Sequence, residues 1–378
     1  MAENEARIGF TPEDRLPEEM LERIRKAVEE GMGRSSERLE ALAREETGAP
    51  YALSTSSSST ALHLAMCALD LKRGDKVICS VNAYLDVPEA VRHFDAEPIF
   101  VDCDPFTYNL DPKKLEEALE RNQSKKLRAV IVNHMAGLPA EMERIHELAR
   151  AYDVQVIEDA TDAPGARYRG TPVGGLEGTL MTILSVGNKF DNRFDAGLLV
   201  SANAECHERG ALLRNHARIP GSKSVGYLYD TVDIGCQFRL DDYSALYGEL
   251  LFGRREWERE RRREIAEIYF RELQGLDHVK LPLRHENHSY FYYIIEIDKN
   301  RDVFARALEE RGIEVALHYV PLHTTRYYKE KYGLKLFDFP WAMGAYQRVM
   351  SLPNRPEMSD EELLRVCEAV REIDAAHI

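Results

Sequence analysis

The chain has 378 residues, 44% hydrophobic and 30% charged, the make-up of a folded protein with room for two domains and not of a disordered one. Lys and Arg total 50 against 65 Asp and Glu, a formal net charge of −15, so nucleic acid and anionic membrane surfaces are poor partners, whereas a small anion needs only a local pocket. The six cysteines (Cys67, Cys79, Cys103, Cys206, Cys236, Cys367) form no C-x-x-C pair, so no metal site is expected and the thiols fit a reducing compartment. The N-terminus MAENEARIGF lacks the basic and apolar stretches of a signal peptide, and no apolar run approaches the roughly 20 residues that span a bilayer. The expectation is a soluble, cytoplasmic protein with no membrane and no nucleic-acid partner.

Residues 16–32 read as an amphipathic helix with Met20, Ile24 and Val28 at fourfold spacing, closed by Gly31 and Gly33. A second helix runs from about Ser36 to Glu46, and a βα alternation then begins. Strands are predicted at Tyr51–Ser54, Lys76–Ser80, Glu97–Val101, Leu127–Asn133 and Val154–Glu158. Helices at Thr60–Leu69, Leu85–Phe94, Pro112–Arg121 and Ala140–Tyr152 separate them, and two closely spaced strands follow at Leu180–Val186 and Ala196–Ser201. The alternation predicts an α/β fold with a mostly parallel sheet covered on both faces, and such sheets bind ligands at the carboxyl ends of their strands.

After about residue 240 the pattern becomes α+β. One long helix, Leu246–Leu273, carries a mixed-charge middle, RREWERERRRE, that reads as a solvated face. A β-rich run at Ser289–Ile297, a helix at Val303–Arg311, a strand at Glu314–Tyr319 and a helix at Asp360–Ile373 follow. Residues 1–245 are therefore expected to form a large domain with an N-terminal helical arm, and residues 246–378 a smaller one. No G-x-G-x-x-G joins a strand to a helix in the first half, which argues against a nicotinamide-binding enzyme.

Four features fall at strand ends. The run Ser54-Thr-Ser-Ser-Ser-Ser-Thr60 leads into a helix, where free N–H groups and the helix dipole hold a phosphate or, equally, where hydroxyls simply cap the helix. Tyr84 follows the strand ending at Ser80, placed either to stack on a flat ligand or to pack. Asp159 ends the apolar strand VQVIED, a carboxylate that can pair with a protonated ring nitrogen, ligate a metal or cap a helix. Lys189 follows the apolar strand TLMTILSV; among low-dielectric walls its neutral amine can form an imine, although most lysines are surface residues.

With these residues in this order, the chain resembles the DegT/DnrJ/EryC1/StrS family of sugar aminotransferases over nearly its whole length. The resemblance is carried by STALHLAMCAL, GDKVICSVNAYLDVPEAV, AEPIFVDCDPFTYNLDP, VIEDATDAPGARYRG, the lysine segment with DAGLLVS after it, LLRNHA, CQFRLDDYSA, LHYVPLHTTRYY and SLPNRPEMSDEE. It implies pyridoxal 5′-phosphate (PLP) as cofactor, the fold type I architecture, and a homodimer with active sites at the interface. It also implies transfer of an amino group, usually from L-glutamate, to a keto sugar usually carried on a nucleotide. By position, Lys189 resembles the Schiff-base lysine and Asp159 the partner of the pyridine nitrogen. Tyr84 resembles the ring-stacking aromatic, and Ser58, Ser59 and Ser185 the phosphate-binding residues. Gln237 resembles the residue that reaches the partner subunit's phosphate, and His318, Tyr319 and His323 lie in a segment that lines the substrate pocket.

Five departures stand out. The step from Ser185 to Lys189 is four residues where the family has five. Ser58 replaces a glycine, and Gln237 an asparagine. Phe194-Asp195-Ala196-Gly197 replaces Gly-Glu-Gly-Gly. Asp162 stands where Gln or His is common, near the cofactor's phenolic oxygen, and a carboxylate there repels a phenolate unless it is protonated or turned away. Two alternatives to transamination are a PLP-dependent sugar dehydratase and a non-catalytic sugar-nucleotide-binding family member. Lysine in place of the histidine of the dehydrating branch favours transamination.

Overall fold

The computed structural model describes residues 7–10, 18–30, 34–187, 194–221 and 228–376. Seven strands form the central sheet: β1 (Tyr51–Thr55), β2 (Lys76–Ser80), β3 (Glu97–Val101), β4 (Leu127–Asn133), β5 (Gln155–Asp159), β6 (Met181–Gly187) and β7 (Asp195–Ser201). Their spatial order is β1-β7-β6-β5-β4-β2-β3. The contacts β3·β2, β2·β4, β4·β5 and β5·β6 are parallel, while β7 runs antiparallel to both β6 and β1.

Helices cover both faces, which is why the strands read as near-continuous apolar runs. Before the sheet come α1 (Glu18–Glu30) and α2 (Ser35–Thr47); between its strands run α3 (Ser58–Ala68), α4 (Asp86–Arg92), α5 (Pro112–Asn122) and α6 (Met142–Ala151), and α7 (Ala204–Leu213) follows β7. On β4, Ala129 and Ile131 pack with α3 and α4, whereas Val130 and Val132 pack with α5 and α6. The period-2 pleat carries that division to the strand ends. Asn133, Asp159 and Ser185 therefore share the α3 face, while Glu158 points to the opposite one.

Beyond the sheet, the single helix expected at 246–273 is two helices, α8 (Asp242–Phe252) and α9 (Arg255–Leu273). Asp241 starts α8 by accepting from the N–H groups of Tyr243 and Ser244, and the break falls at Gly253, a residue that costs about 1 kcal/mol in a helix interior relative to alanine. Ala245 and Phe252 of α8 pack against Leu39 and the strands of the large sheet. From Ile265 onward α9 turns to a second core, built with a three-stranded antiparallel sheet of β8 (Val279–Lys280), β9 (Tyr293–Ile297) and β10 (Val349–Leu352), helix α10 (Arg301–Glu310) and the helix Asp360–Ala375.

Two further expectations differ. Residues 314–319 form no regular strand; a single bridge, Ala316 to Ser351, ties them to β10. The charged start of α9 is not all solvated. Arg255 is buried, donating to the Ser185 carbonyl and pairing with Glu46 at 3.2 Å, and the Arg262 guanidinium lies over the Phe291 ring. Aliphatic stems and planar guanidinia let arginine do this inside a run that otherwise looks like surface.

Candidate active site

The carboxyl end of β5 separates two adjacent carboxylates. Glu158 is fully buried on the α5–α6 face. The Ala140 N–H donates to His134 Nδ1 at 3.2 Å, so the His134 proton sits on Nε2 and is donated to Glu158 Oε2 at 2.9 Å. The Thr179 hydroxyl donates to the other oxygen and accepts from His146 Nε2 at 2.9 Å. Both ring nitrogens of His134 and both oxygens of Glu158 are engaged, which fixes the strand end next to Asp159.

Asp159 faces the α3 side and is 5% exposed. Its Oδ1 accepts from the Thr161 hydroxyl at 2.7 Å and the Thr161 N–H at 3.1 Å. These bonds set the carboxylate plane and leave Oδ2 without a hydrogen bond among the described residues.

An anion seat lies beside it, at the start of α3. Ser57 caps this helix: its Oγ accepts from the Thr60 N–H, and Thr60 Oγ1 accepts from the Ser57 N–H. The Ser58 N–H stays free of the helix and donates to Asp195 Oδ2 at 3.1 Å; the Ser58 hydroxyl donates to the same oxygen at 3.2 Å. Ser185 Oγ is 3.5 Å from Asp195 Oδ1. The seat is tight because β7 presses against the helix start: a Cβ on Gly197 would stand 2.3 Å from the Ser57 carbonyl oxygen. The Ser59 hydroxyl turns instead to Asp86 at 2.9 Å.

Asp162 answers the question its sequence position raised. Its Oδ1 accepts from the Tyr292 hydroxyl at 3.3 Å and its Oδ2 from the Tyr319 hydroxyl. Burial, and then the Asp162 charge, push both phenols well above the ordinary tyrosine range, so they stay protonated and donate. The carboxylate is thus turned towards two tyrosines. The Tyr84 ring packs at a tilt on Tyr319, centroids 5.3 Å apart, and His318 stacks flat on Tyr292 at 3.6 Å while its Nδ1 bonds Ser351 Oγ at 2.7 Å.

The structure brings Tyr84, Asp162, His318 and Tyr319 together, and Asp159 together with the seat of Ser58 and Ser185. It does not bring His323 to either group. That ring is 1% exposed, packs on Phe339 and bonds the Leu336 carbonyl at 3.1 Å, and burial lowers its basicity. Gln237 is exposed, with its backbone bridged to Asn215. Lys189 lies outside the described residues; the flanking Gly187 and Asp195 are paired across β6 and β7 at the seat. Sequence reasoning missed Tyr292, Asp195 and the His134–Glu158 pair. The period-2 pleat could have separated Glu158 from Asp159, but Tyr292 lies just ahead of a strand in an all-apolar run and shows no such signal.

Asp195 is an oxyanion of the chain itself in the seat, and its charge opposes a second anion there. Asp195→Asn is expected to tighten binding of a phosphate-bearing cofactor by about fivefold, the scale of one like-charge repulsion near 1 kcal/mol. An absorbance titration checks this, and weaker binding in the variant would show that the carboxylate organises the seat instead.

A model of the DegT/DnrJ/EryC1/StrS aminotransferase family matches residues 14–371. The chain is similar to the dTDP-3-amino-3,6-dideoxy-alpha-D-galactopyranose transaminase of Aneurinibacillus thermoaerophilus, 32% identical over 331 residues and 85% of each chain. It is also similar to the spore coat polysaccharide biosynthesis protein SpsC of Bacillus subtilis, 28% identical over 340 residues and 86% of each chain. Among solved structures, S. venezuelae DesV superposes with a TM-score of 0.87 at 28% identity, covering 98% of this chain and 99% of that one. The residues present fit the family's cofactor. The seat already accommodates one oxyanion, and Asp159 holds an unengaged carboxylate oxygen beside it, as a protonated ring nitrogen requires. The chain belongs to the DegT/DnrJ/EryC1/StrS family and is a PLP-dependent aminotransferase of fold type I.

Proposed function

We propose that this enzyme moves an amino group from L-glutamate to a keto sugar carried on a nucleotide, as a step in amino-sugar biosynthesis. The observation that carries the reading is the pairing of Asp159, one oxygen steered by Thr161 and one unengaged, with an anion seat on the same face of the same sheet. The named activity of the Aneurinibacillus relative supports a nucleotide-linked sugar as acceptor.

When bound, PLP supplies the electron sink of the reaction. The chain supplies the rest. Asp159 would hold the proton on the ring nitrogen, Ser58 and Ser185 would hold the phosphate, and Tyr84 would pack on the ring. Lys189 would bind the cofactor covalently and, when not so engaged, would act as the general acid–base that moves the substrate proton. Asp162 draws Tyr292 and Tyr319 into one wall, and His318 and Tyr319 face the substrate from it.

The working unit in this reading is a homodimer with Gln237 near the interface. Ile234 (92% exposed), Tyr243 (67%) and Tyr229 (63%) are large apolar side chains left exposed within eight residues of Gln237 in the chain, which a second copy would cover in this reading. The reading also places the enzyme in the cytoplasm. All six cysteines are free, as a reducing compartment requires, and no helix among the described residues is long and apolar enough to cross a membrane.

The test is a half-reaction. L-Glutamate added to the holoenzyme without a sugar is expected to remove the absorbance of the lysine-linked cofactor and release one equivalent of 2-oxoglutarate per site. A panel of keto-sugar nucleotides and free keto cyclitols then identifies the acceptor by reversing the change. No 2-oxoglutarate from glutamate, with a deoxygenated sugar as product, would replace transamination with dehydration.

A further inference from the structure

Asn133 is the last residue of β4 and is 6% exposed, yet neither its Nδ2 nor its Oδ1 has a hydrogen-bond partner among the described residues. A buried carboxamide with both ends unpaired is costly, and native proteins keep such groups where something else satisfies them. Its neighbours are fully engaged. The His134 N–H donates to the Asp159 carbonyl at 3.1 Å, the Met135 N–H to Asn109 Oδ1 at 2.7 Å, and Asn109 Nδ2 to the Leu138 carbonyl at 2.9 Å. The nearby asparagine that serves the fold is thus satisfied, and the one at the strand end is not.

Position says what it serves. Asn133 is the direct neighbour of Asp159 in the parallel register of β4 and β5, and the pleat puts both side chains on the α3 face. Asp159 therefore stands between two strands. β6 on one side carries Ser185 and the anion seat; β4 on the other carries Asn133. Besides its aldehyde, PLP presents three polar points: the phosphate arm, the ring nitrogen and the phenolic oxygen. The arm and the phenolic oxygen leave the ring on opposite sides of the carbon that bears the aldehyde. With the arm directed to β6 and the nitrogen at Asp159, the phenolic oxygen falls on the β4 side. Asp162, the group that the family resemblance implies near this oxygen, has both its own oxygens bonded to Tyr292 and Tyr319.

We infer that Asn133 is a cofactor-positioning residue whose Nδ2 donates a hydrogen bond to the phenolic oxygen of PLP. The inference rests on the assignment of Asp159 to the ring nitrogen. A neutral amide donor at this point holds the oxygen in its ionised form, which a carboxylate could not do. It thus supplies what the Asp162 substitution takes away from the site.

The test uses Asn133→Leu, similar in shape and without polar atoms. The cofactor-free variant is expected to melt at or above the wild-type temperature, since an unpaired buried amide is gone. Its PLP dissociation constant is expected to rise at least tenfold, and the pH midpoint of the bound cofactor's absorbance to move upward, because the oxygen loses a donor to its charged form. A dissociation constant within twofold of wild type and an unmoved midpoint would overturn the inference. If Asn133→Leu does not fold by circular dichroism, Asn133→Ser takes its place and is judged by the same two readouts. Asp159→Ala in the same titration weighs the ring-nitrogen assignment separately: unchanged affinity there defeats that assignment, whatever Asn133 shows.

Discussion

Lys189→Ala is expected to abolish borohydride-stable attachment of the cofactor to the protein and to lower kcat by about 10⁴-fold or more, since in the proposed mechanism one residue supplies both the covalent anchor and the proton transfer. Peptide mass spectrometry after reduction is the direct measurement: the wild type carries the pyridoxyl mass on the peptide containing Lys189, and the variant carries none. A pyridoxyl group on another lysine of the variant, with activity retained, would move the assignment elsewhere. Folding is not expected to suffer. The seat and Asp159 are built from backbone and side chains of β5, β6, β7 and α3, so the variant should still bind PLP non-covalently through its phosphate.

Asp159 carries the second large effect. Asp159→Asn keeps the shape and an oxygen that can still accept from Thr161, but removes the charge that, in the proposed mechanism, would hold a proton on the ring nitrogen. The expected result is a fall in kcat of about 10²- to 10³-fold, the range seen when one preorganised electrostatic contact is removed. Thermal stability should change little, because the local hydrogen bonds survive. Asp159→Ala, which also releases Thr161, should show the same kinetic loss with a lower melting temperature. The contrast between the two separates charge from scaffold. Equal activity of Asp159→Asn and wild type would show that the ring nitrogen is served by another group.

The large sheet was legible because its signal is local. Apolar runs of five to seven residues between amphipathic helices can only be strands buried on both faces, and each predicted strand from Tyr51 to Ser201 has its counterpart in the sheet. What failed depended on contacts across the chain. Asp162 looked like an electrostatic problem because its partners Tyr292 and Tyr319 lie 130 and 157 positions away, outside any window over which a sequence can be read. Arg255 was hidden in a run of charges whose other members are mostly surface. The helix break at Gly253 was hidden by continuous helical patterning on either side. Asn133 and Asp159 show the same signal, a polar residue ending an apolar strand, yet only Asp159 stood out, because a carboxylate at a strand end suggests chemistry and an amide does not. The identity of Lys189 came from family resemblance; its chemical setting came from the strands that flank it.

The anchorage of α9 has a mechanical consequence. At its first residue Arg255 is bolted to the Ser185 carbonyl and to Glu46 of α2, and at its far end Tyr269, Phe270 and Leu273 are embedded in the second core. The helix has 19 residues, so it is a rod of roughly 28 Å with one end pinned at the anion seat. A lever pinned at one end moves least at the pin. A swing that carries the far core by about 3 Å tilts the rod by only about 6° on that length, and leaves the pinned strand almost in place. The strand that carries Ser185 therefore keeps its place when the far end of the rod moves, and Asp162, bonded to Tyr292 and Tyr319, ties the facing wall to that same end of the large sheet.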